Sequence, residues 1–216
     1  MSAREYILDA LRRGVGHGSC PRHARSSRAR AHGKDNWKLM RERAELRGVR
    51  YVPVKDLENA RNELKAMLKE LGATSALVWD HHDLDALGLA EILAELKITV
   101  IAHDAPLAER AGTDVGITSA EAVLPESGSV IVTAGASTPR QTSLLPPVHI
   151  ALALPGRAVP TIPKLPAFVR SLTRADGLLP SAMHIITGPS STADIEKIVV
   201  KGVHGPTVCA VIAVEG

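Results

Sequence analysis

Residues 51–103 read YVPVKDLENARNELKAMLKELGATSALVWDHHDLDALGLAEILAELKITVIAH, and their pattern decides the fold. The run VRYVPV (49–54) has the length and composition of a short strand. Leu57, Ala60, Leu64, Met67, Leu68 and Leu71 then recur at the helical period, and Gly72 closes the run. TSALVW (74–79) is a short apolar run suited to a buried strand. Leu84 to Leu96 predicts one further helix, and ITVIA (98–102) a further buried strand. Strand, helix, strand, helix, strand is the pattern of a parallel sheet covered by helices.

Downstream the pattern changes. VGITSAEAVLPESGSVIVTAG (115–135) predicts a strand, a corner and then a hairpin, with AEAVLP and GSVIVTA flanking the turn Glu126-Ser127-Gly128. HIALALPG continues as a strand, 163–173 as a short helix after two prolines, MHIITG as a strand, TADIEKIVV (192–200) as a helix and TVCAVIAVE as a last strand. The expectation is an α/β fold with one mixed sheet and helices on both faces.

Upstream, residues 3–13 have a helical apolar face, 14–36 form a Gly-, Ser-, Arg- and His-rich stretch without apolar period, and 37–47 predict a basic helix. The first 50 residues hold 13 Lys and Arg against 5 Asp and Glu, whereas residues 51–216 hold 13 against 18. The chain is therefore read as a basic N-terminal helical arm (1–50, with a flexible loop at 14–36) ahead of one domain (51–216). Only two Trp, two Tyr and one Phe occur in 216 residues. The core must be aliphatic, and base-stacking platforms are scarce, so the basic arm reads as solvated rather than as a nucleic-acid binder.

Two cysteines, Cys20 and Cys209, exclude a disulfide framework and a four-thiolate iron–sulfur cluster held by this chain alone. No apolar run reaches the ~18–20 residues of a membrane span, and the N-terminus carries charges where a signal peptide needs an apolar stretch, so the expected location is the cytoplasm. No G-x-S-x-G elbow, P-loop or strand-following G-x-G-x-x-G is present, which weighs against Ser hydrolases, P-loop ATPases and standard NAD-binding folds.

Thr187-Gly188-Pro189-Ser190-Ser191-Thr192-Ala193-Asp194-Ile195-Glu196 reads as a strand end, a small-residue turn and a helix start. Either it is a well-capped helix, or its hydroxyls and amides hold a small ligand. Glu126-Ser127-Gly128-Ser129 is turn chemistry, or Glu126 is a base, nucleophile or anchor. Asp80-His81-His82-Asp83 and His103-Asp104 follow expected parallel strands, at the edge where open α/β sheets bind ligands. They are capping and loop residues, or a metal site or acid–base pair. His17, Cys20, His23 and His32 sit among arginines that would repel a cation, and no metal site is expected.

Six segments occur in order: Gly116-Ile117-Thr118-Ser119-Ala120-Glu121, Pro125-Glu126-Ser127-Gly128-Ser129, Ser143 through Ile150, Ile186 through Ser190, Thr192 through Glu196, and Gly202-Val203-His204-Gly205-Pro206. Together they resemble the LUD domain of the LutC lactate-utilisation family, over roughly residues 114–216, with the preceding α/β half fitting the same domain. Ser191 stands where the family often has Arg or Lys, and Pro125-Glu126-Ser127-Gly128-Ser129 stands where it commonly has Ala-Glu-Thr-Gly-Thr.

The resemblance implies a Rossmann-like three-layer α/β/α fold of the NagB/RpiA/CoA-transferase kind. It implies a subunit that works with LutA-like and LutB-like iron–sulfur proteins in oxidising L-lactate to pyruvate. The clusters would sit in those partners and no cofactor in this chain. Under it, Glu126, His149 and His204 are the candidate acid–base or anchoring groups. Thr118, Glu121, Ser127, Ser129, Thr187, Gly188, Ser190, Thr192 and Asp194 are the candidates to hold a small organic acid or other small metabolite. The alternative is a stand-alone enzyme resembling CoA-transferases or sugar-phosphate isomerases, with Glu126 as nucleophile.

Overall fold

The structure is a computed structural model and describes residues 34–173, 177–193 and 199–215. The expected helix at 3–13 and the His17, Cys20, His23 and His32 group lie outside the described residues. Residues 34–36, expected at the end of the loop, already belong to helix α1 (Lys34–Leu46). Its Trp37, Met40 and Ala44 pack with Val49 and Tyr51, so the packed unit begins ahead of Tyr51.

Six strands form a parallel sheet. In chain order they are β1 (Arg50–Val54), β2 (Ser75–Val78), β3 (Thr99–Val100), β4 (Val115–Ser119), β7 (Val148–Ala153) and β11 (Val208–Val214). In space the order is β1-β11-β7-β4-β2-β3. Every pairing is parallel. The two faces alternate along the strands, as the period of two requires. Ile150, Leu152, Ala210, Ile212 and Val214 face one way, into a core shared with helices α2 (Leu57–Leu71), α3 (His82–Leu87) and α4 (Leu89–Glu95). Ala151, Ala153, Cys209, Val211 and Ala213 face the other way, into a core shared with α1 and a smaller sheet.

That smaller sheet is antiparallel, in the order β5 (Ala122–Leu124), β6 (Ser129–Ala134), β8 (Ala182–Ile186). The expected hairpin is there, Leu124 opposite Ser129. The parallel and antiparallel strands, expected in one mixed sheet, are thus divided between two. The far side of the small sheet buries Leu124, Ile131 and Val159 against Phe168 and Leu165 of helix α6 (Leu165–Ser171).

Local chemistry explains the elements that match expectation and those that do not. In α2 the Asp56 carboxylate accepts from the Asn59 amide at 2.8 Å, and Gly72 closes the helix at φ 61°. The single helix expected over 84–96 is instead two, broken at Gly88 with φ 72°. A side chain there would collide with the Arg61 guanidinium, which donates to the carbonyls of Leu87 and Gly88 at 3.1 and 3.2 Å. The buried strand expected at 98–102 is a two-residue edge strand, with Ile98 buried but Val100 half exposed. The helix expected at 192–200 is also overturned. Its two ends form β9 (Ser191–Ala193) and β10 (Val199–Lys201), paired antiparallel. The cap chemistry that suggested a helix competes with β-favouring Thr192, Val199 and Val200, and the pairing wins.

A short helix, α5 (Leu107–Ala111), and a 3-10 turn at Arg140–Ser143 complete the set that bears on the site. The carbonyl of Thr142 lies directly over Gly116 of β4, where a Cβ would overlap it. Gly116→Ala is expected to destabilise the protein by about 2 kcal/mol, the usual cost of overpacking against backbone. A melting temperature lowered by about 5 °C would register this; an unchanged one would show that the 140–146 segment moves aside freely.

Candidate functional site

The connections leaving β2 and β4 set up a crevice. From β2 the chain enters α3 and α4 on one face of the parallel sheet; from β4 it enters β5 and β6 on the other. Adjacent parallel strands whose chains depart to opposite faces leave a cleft at their C-terminal ends, the place where open α/β sheets bind ligands.

Asp83, in the first turn of α3, is only 3% exposed. Arg157, in the loop after β7, clamps it with both terminal nitrogens: Nη2 to Oδ1 at 2.9 Å and Nη1 to Oδ2 at 2.5 Å. The hydroxyl of Ser119, the last residue of β4, donates to the same Oδ2. Arg157 Nη1 also donates to the Ala120 carbonyl at 3.1 Å. Burial pushes the Asp83 pKa up, but the Arg157 and Ser119 hydrogen bonds outweigh it and hold the carboxyl below its ordinary value. Three loops are joined at one buried charge pair.

His81 caps α3 by accepting the Asp83 amide on Nδ1 at 3.2 Å. The same Nδ1 lies 3.3 Å from Asp83 Oδ2. Burial lowers the His81 pKa; the Asp83 and Glu121 carboxylates pull the other way without overcoming it. The His82 ring stacks on His81 with centroids 4.3 Å apart and places Nε2 3.0 Å from Asp83 Oδ1. His81, His82 and Asp83 bring potential metal ligands within 4.8 Å of one another. They do not suit a metal, because Arg157 fixes a positive charge on the Asp83 carboxylate and the Asp83 amide occupies His81 Nδ1.

Of the residues singled out from sequence, Glu121 lies by this crevice. Its Oε1 accepts from Thr133 at 3.1 Å, and its charge acts on His81. The others fall into separate groups. Thr118 Oγ1 and His149 Nε2 are 2.9 Å apart and wholly buried within the parallel sheet. Ser127, Ser129 and Thr187 form a hydroxyl chain with steps of 2.7 and 2.8 Å. Gly128 and Gly188 lie against the last turns of α1, where a Cβ on either would meet Arg43, Ala44 or Arg47. Glu126 Oε2 accepts the Ile162 amide at 2.8 Å and so ties the hairpin turn to the segment ahead of α6.

Ser190 is held by backbone bonds to Pro206 (2.8 Å) and Gly202 (2.9 Å), which fold the loop carrying His204 against it. His204 and Thr192 are exposed, and Asp194 lies outside the described residues. Sequence reading weighed the DHHD run as capping and loop residues or as a metal site or acid–base pair; the cap is there at His81, and Ser119 and Arg157 were not found as partners of Asp83. The available signal was a lone arginine directly after a buried parallel strand, in line with a carboxylate after another.

The LUD domain family model matches residues 37–214. The chain belongs to that family. A protein of Halalkalibacterium halodurans named Lactate utilization protein C is 34% identical over 77% of this chain and 73% of its own length. A Geobacillus protein of the same name is 34% identical over 73% of this chain and 71% of its own. Among solved structures, a DUF162 family protein from Deinococcus radiodurans superposes with a TM-score of 0.54, covering 83% of this chain and 96% of that one at 20% identity. That likeness carries the α/β fold of the LUD domain chain. Among the described residues no helix is long and apolar enough to cross a membrane.

Two measurements test the charge arrangement. Arg157→Ala leaves the Asp83 carboxylate buried without its partner and is expected to cost about 3 kcal/mol in urea unfolding. Burial pulls the His149 pKa down to about 4, from 6.5. Between those values the unfolded chain binds the proton and the folded one does not, so this contribution is intact above pH 6.5 and is lost as pH falls toward 4. The expected loss is on the order of 3 kcal/mol over that interval. His81 adds to it in the same direction, whereas the Asp83 carboxyl acts only below its ordinary range. His149→Gln should flatten the slope; an unchanged slope would place the titration elsewhere.

Proposed function

We propose that this chain is a LutC-like subunit of a cytoplasmic system that oxidises L-lactate to pyruvate together with LutA-like and LutB-like iron–sulfur proteins. The observation that carries the reading is the alignment of about three quarters of the chain with relatives named Lactate utilization protein C. With two cysteines in the sequence, the electron-transferring clusters belong to the partner proteins in this reading. Oxidising lactate to pyruvate removes two electrons and two protons, and clusters in the partner proteins would accept the electrons.

Within such an assembly this chain contributes binding surface and polar groups. The Ser127–Ser129–Thr187 hydroxyls, the loop at Gly188 and Ser190, Thr192 and Asp194, and Glu121 at the sheet edge are the groups proposed to hold a small organic acid. Thr118 supports His149. His204 is proposed to move protons and Glu126 to anchor the turn that carries Ser127, whereas His149, expected to be a catalytic group, is neutral and enclosed and serves as the packing partner of Thr118.

Anaerobic affinity purification of the tagged full chain from its native host, grown on L-lactate, tests the role. Co-purification of cluster-bearing proteins with L-lactate-oxidising activity is expected. A colourless protein without partners, under conditions where those partners are made, would overturn the complex. In the same strain, Glu126→Ala and His204→Gln are expected to reduce lactate oxidation; wild-type rates would remove either residue from an essential role.

A further inference from the structure

The two loops that carry the Ser127–Ser129–Thr187 hydroxyls both meet the end of α1, and each contact is made at a glycine. Gly128 (φ 72°) separates Ser127 from Ser129, and Gly188 (φ 136°) follows Thr187. A Cβ on Gly128 would run into the Ala44 amide and lie 2.7 Å from Arg43 Cβ. A Cβ on Gly188 would lie 2.8 Å from the Arg47 carbonyl oxygen and 3.4 Å from Arg47 Cβ. The missing side chains let the closing turn of α1 rest directly on both loops. The Ala44 carbonyl accepts the Arg47 amide at 3.0 Å, so Arg47 still belongs to that turn. Arg43 and Arg47, four residues apart, share one side of it.

Both arginines are exposed, and neither side chain has a hydrogen bond or ion pair among the described residues. Nearby cations are paired: Arg41 with Glu45 at 2.9 Å and Arg50 with Glu70 at 2.7 Å. Like charges at the spacing of Arg43 and Arg47 repel each other. A cation suits the negative end of a helix. That preference does not explain why one arginine stands against each hydroxyl-bearing loop.

The hydroxyls can turn to meet a ligand there. Ser127 donates to the Leu124 carbonyl over a long 3.3 Å, and in the 2.7 and 2.8 Å steps either oxygen can be the donor. Each hydroxyl carries one proton. With Ser127 bonded to Leu124 the chain runs inward, and Thr187 spends its proton on Ser129. When Ser127 turns to Ser129 instead, the run reverses. Thr187, partly exposed where Ser129 is wholly buried, then donates outward. An anion at Thr187 gains that donor at the loss of one long bond. Neutral hydroxyls alone leave its charge unbalanced. A guanidinium supplies both the charge and a fork of donors that matches a carboxylate.

We infer that Arg43 and Arg47 bind the carboxylate of a small organic acid, with Thr187 O–H donating to it and the Ser127–Ser129 pair reversing behind Thr187. The inference rests on the reading that these hydroxyls hold an organic acid, and it adds the positive charge that reading lacks.

An NMR titration of the full chain with L-lactate, L-lactamide and inorganic phosphate tests it. L-lactamide keeps the hydroxyl of L-lactate and removes the charge. L-lactate is expected to bind at least about tenfold more tightly than L-lactamide, the range of a hydrogen bond to a charged group. Arg43→Gln and Arg47→Gln should each weaken L-lactate about tenfold and leave L-lactamide unchanged; the double variant should bind the two alike. Thr187→Val should weaken L-lactate by a similar factor. Arg50→Gln, which removes a cation already serving Glu70, should change neither. The amide spectrum reports in the same experiment that each variant is folded.

Unchanged L-lactate affinity in the double variant would overturn the role of the arginines and leave the organic-acid reading standing. Absence of saturable L-lactate binding by the unsubstituted chain would overturn both. Equal binding of L-lactate and L-lactamide, phosphate binding as tightly as L-lactate, or an Arg50→Gln loss as large as that of Arg47→Gln would each overturn a carboxylate site at these two residues. Co-purification with iron–sulfur proteins is a separate measurement, so the role in lactate oxidation stands or falls without this site.

Discussion

The pairing of Asp83 with Arg157 is the contact on which the ligand-binding edge of this protein depends. It joins the start of α3, the end of β4 and the loop after β7, three segments separated by up to 74 residues in the chain. Parallel strands end with backbone groups that the sheet no longer pairs, and the chain must turn there toward opposite faces. A rigid bidentate bond, backed by Ser119 and the Ala120 carbonyl, sets the angle at which those turns leave the sheet. Buried ion pairs of this kind add little net stability, since desolvation consumes most of the Coulombic gain. What the pair supplies is a fixed geometry. A hydrophobic replacement of equal volume would hold the loops with less directional control.

Beneath that edge the sheet is packed so tightly that its polar residues have no room to act as open groups. β4 is buried at all five positions, and Thr118 and His149 satisfy one another inside it. The neutral His149 is a packing element with a hydrogen bond, and its cost appears only when acid forces a proton onto it. The same density explains Gly116, which lets the 140–146 segment lie on the sheet and close the face above His149. Chemistry is pushed outward, to the crevice above β2 and β4 and to the hydroxyl chain where the hairpin turn meets the loop after β8.

Much of the fold was legible because its signals are local. Asp56 and Gly72 bracket α2 within one window, and the apolar runs of β7 and β11 are too short for helices and too continuous for exposed strands. Where two local signals conflict, sequence reading failed. The apolar period runs unbroken from Leu84 to Leu96, yet Gly88 with Arg61 docked over it ends one helix and begins another. Around Ser191 the cap residues of a helix and the β-branched residues of a hairpin overlap, and pairing between distant ends decided the matter. The candidate site was less legible for the same reason. Glu121 and the run ending in Asp83 were each singled out, but the meeting of Asp83 with Ser119 and Arg157 depends on strand order, and strand order is not written in any single segment.

This difference between local and topological information also bears on what an α/β chain of this kind can change without losing its fold. The hydroxyl chain of Ser127, Ser129 and Thr187 sits between elements that α1 presses together, so its residues answer to packing as much as to any ligand. The side chains of Arg43 and Arg47 answer to neither sheet register nor core volume: the backbone of their turn is fixed against Gly128 and Gly188, while the side chains stay exposed. Their guanidinium groups can be exchanged for others at small structural cost. A position whose backbone is held in place while its side chain stays open to solvent is where selection on a ligand can act independently of selection on the fold. In this chain two such positions lie one helical turn apart, each against one of the loops that carry the hydroxyls.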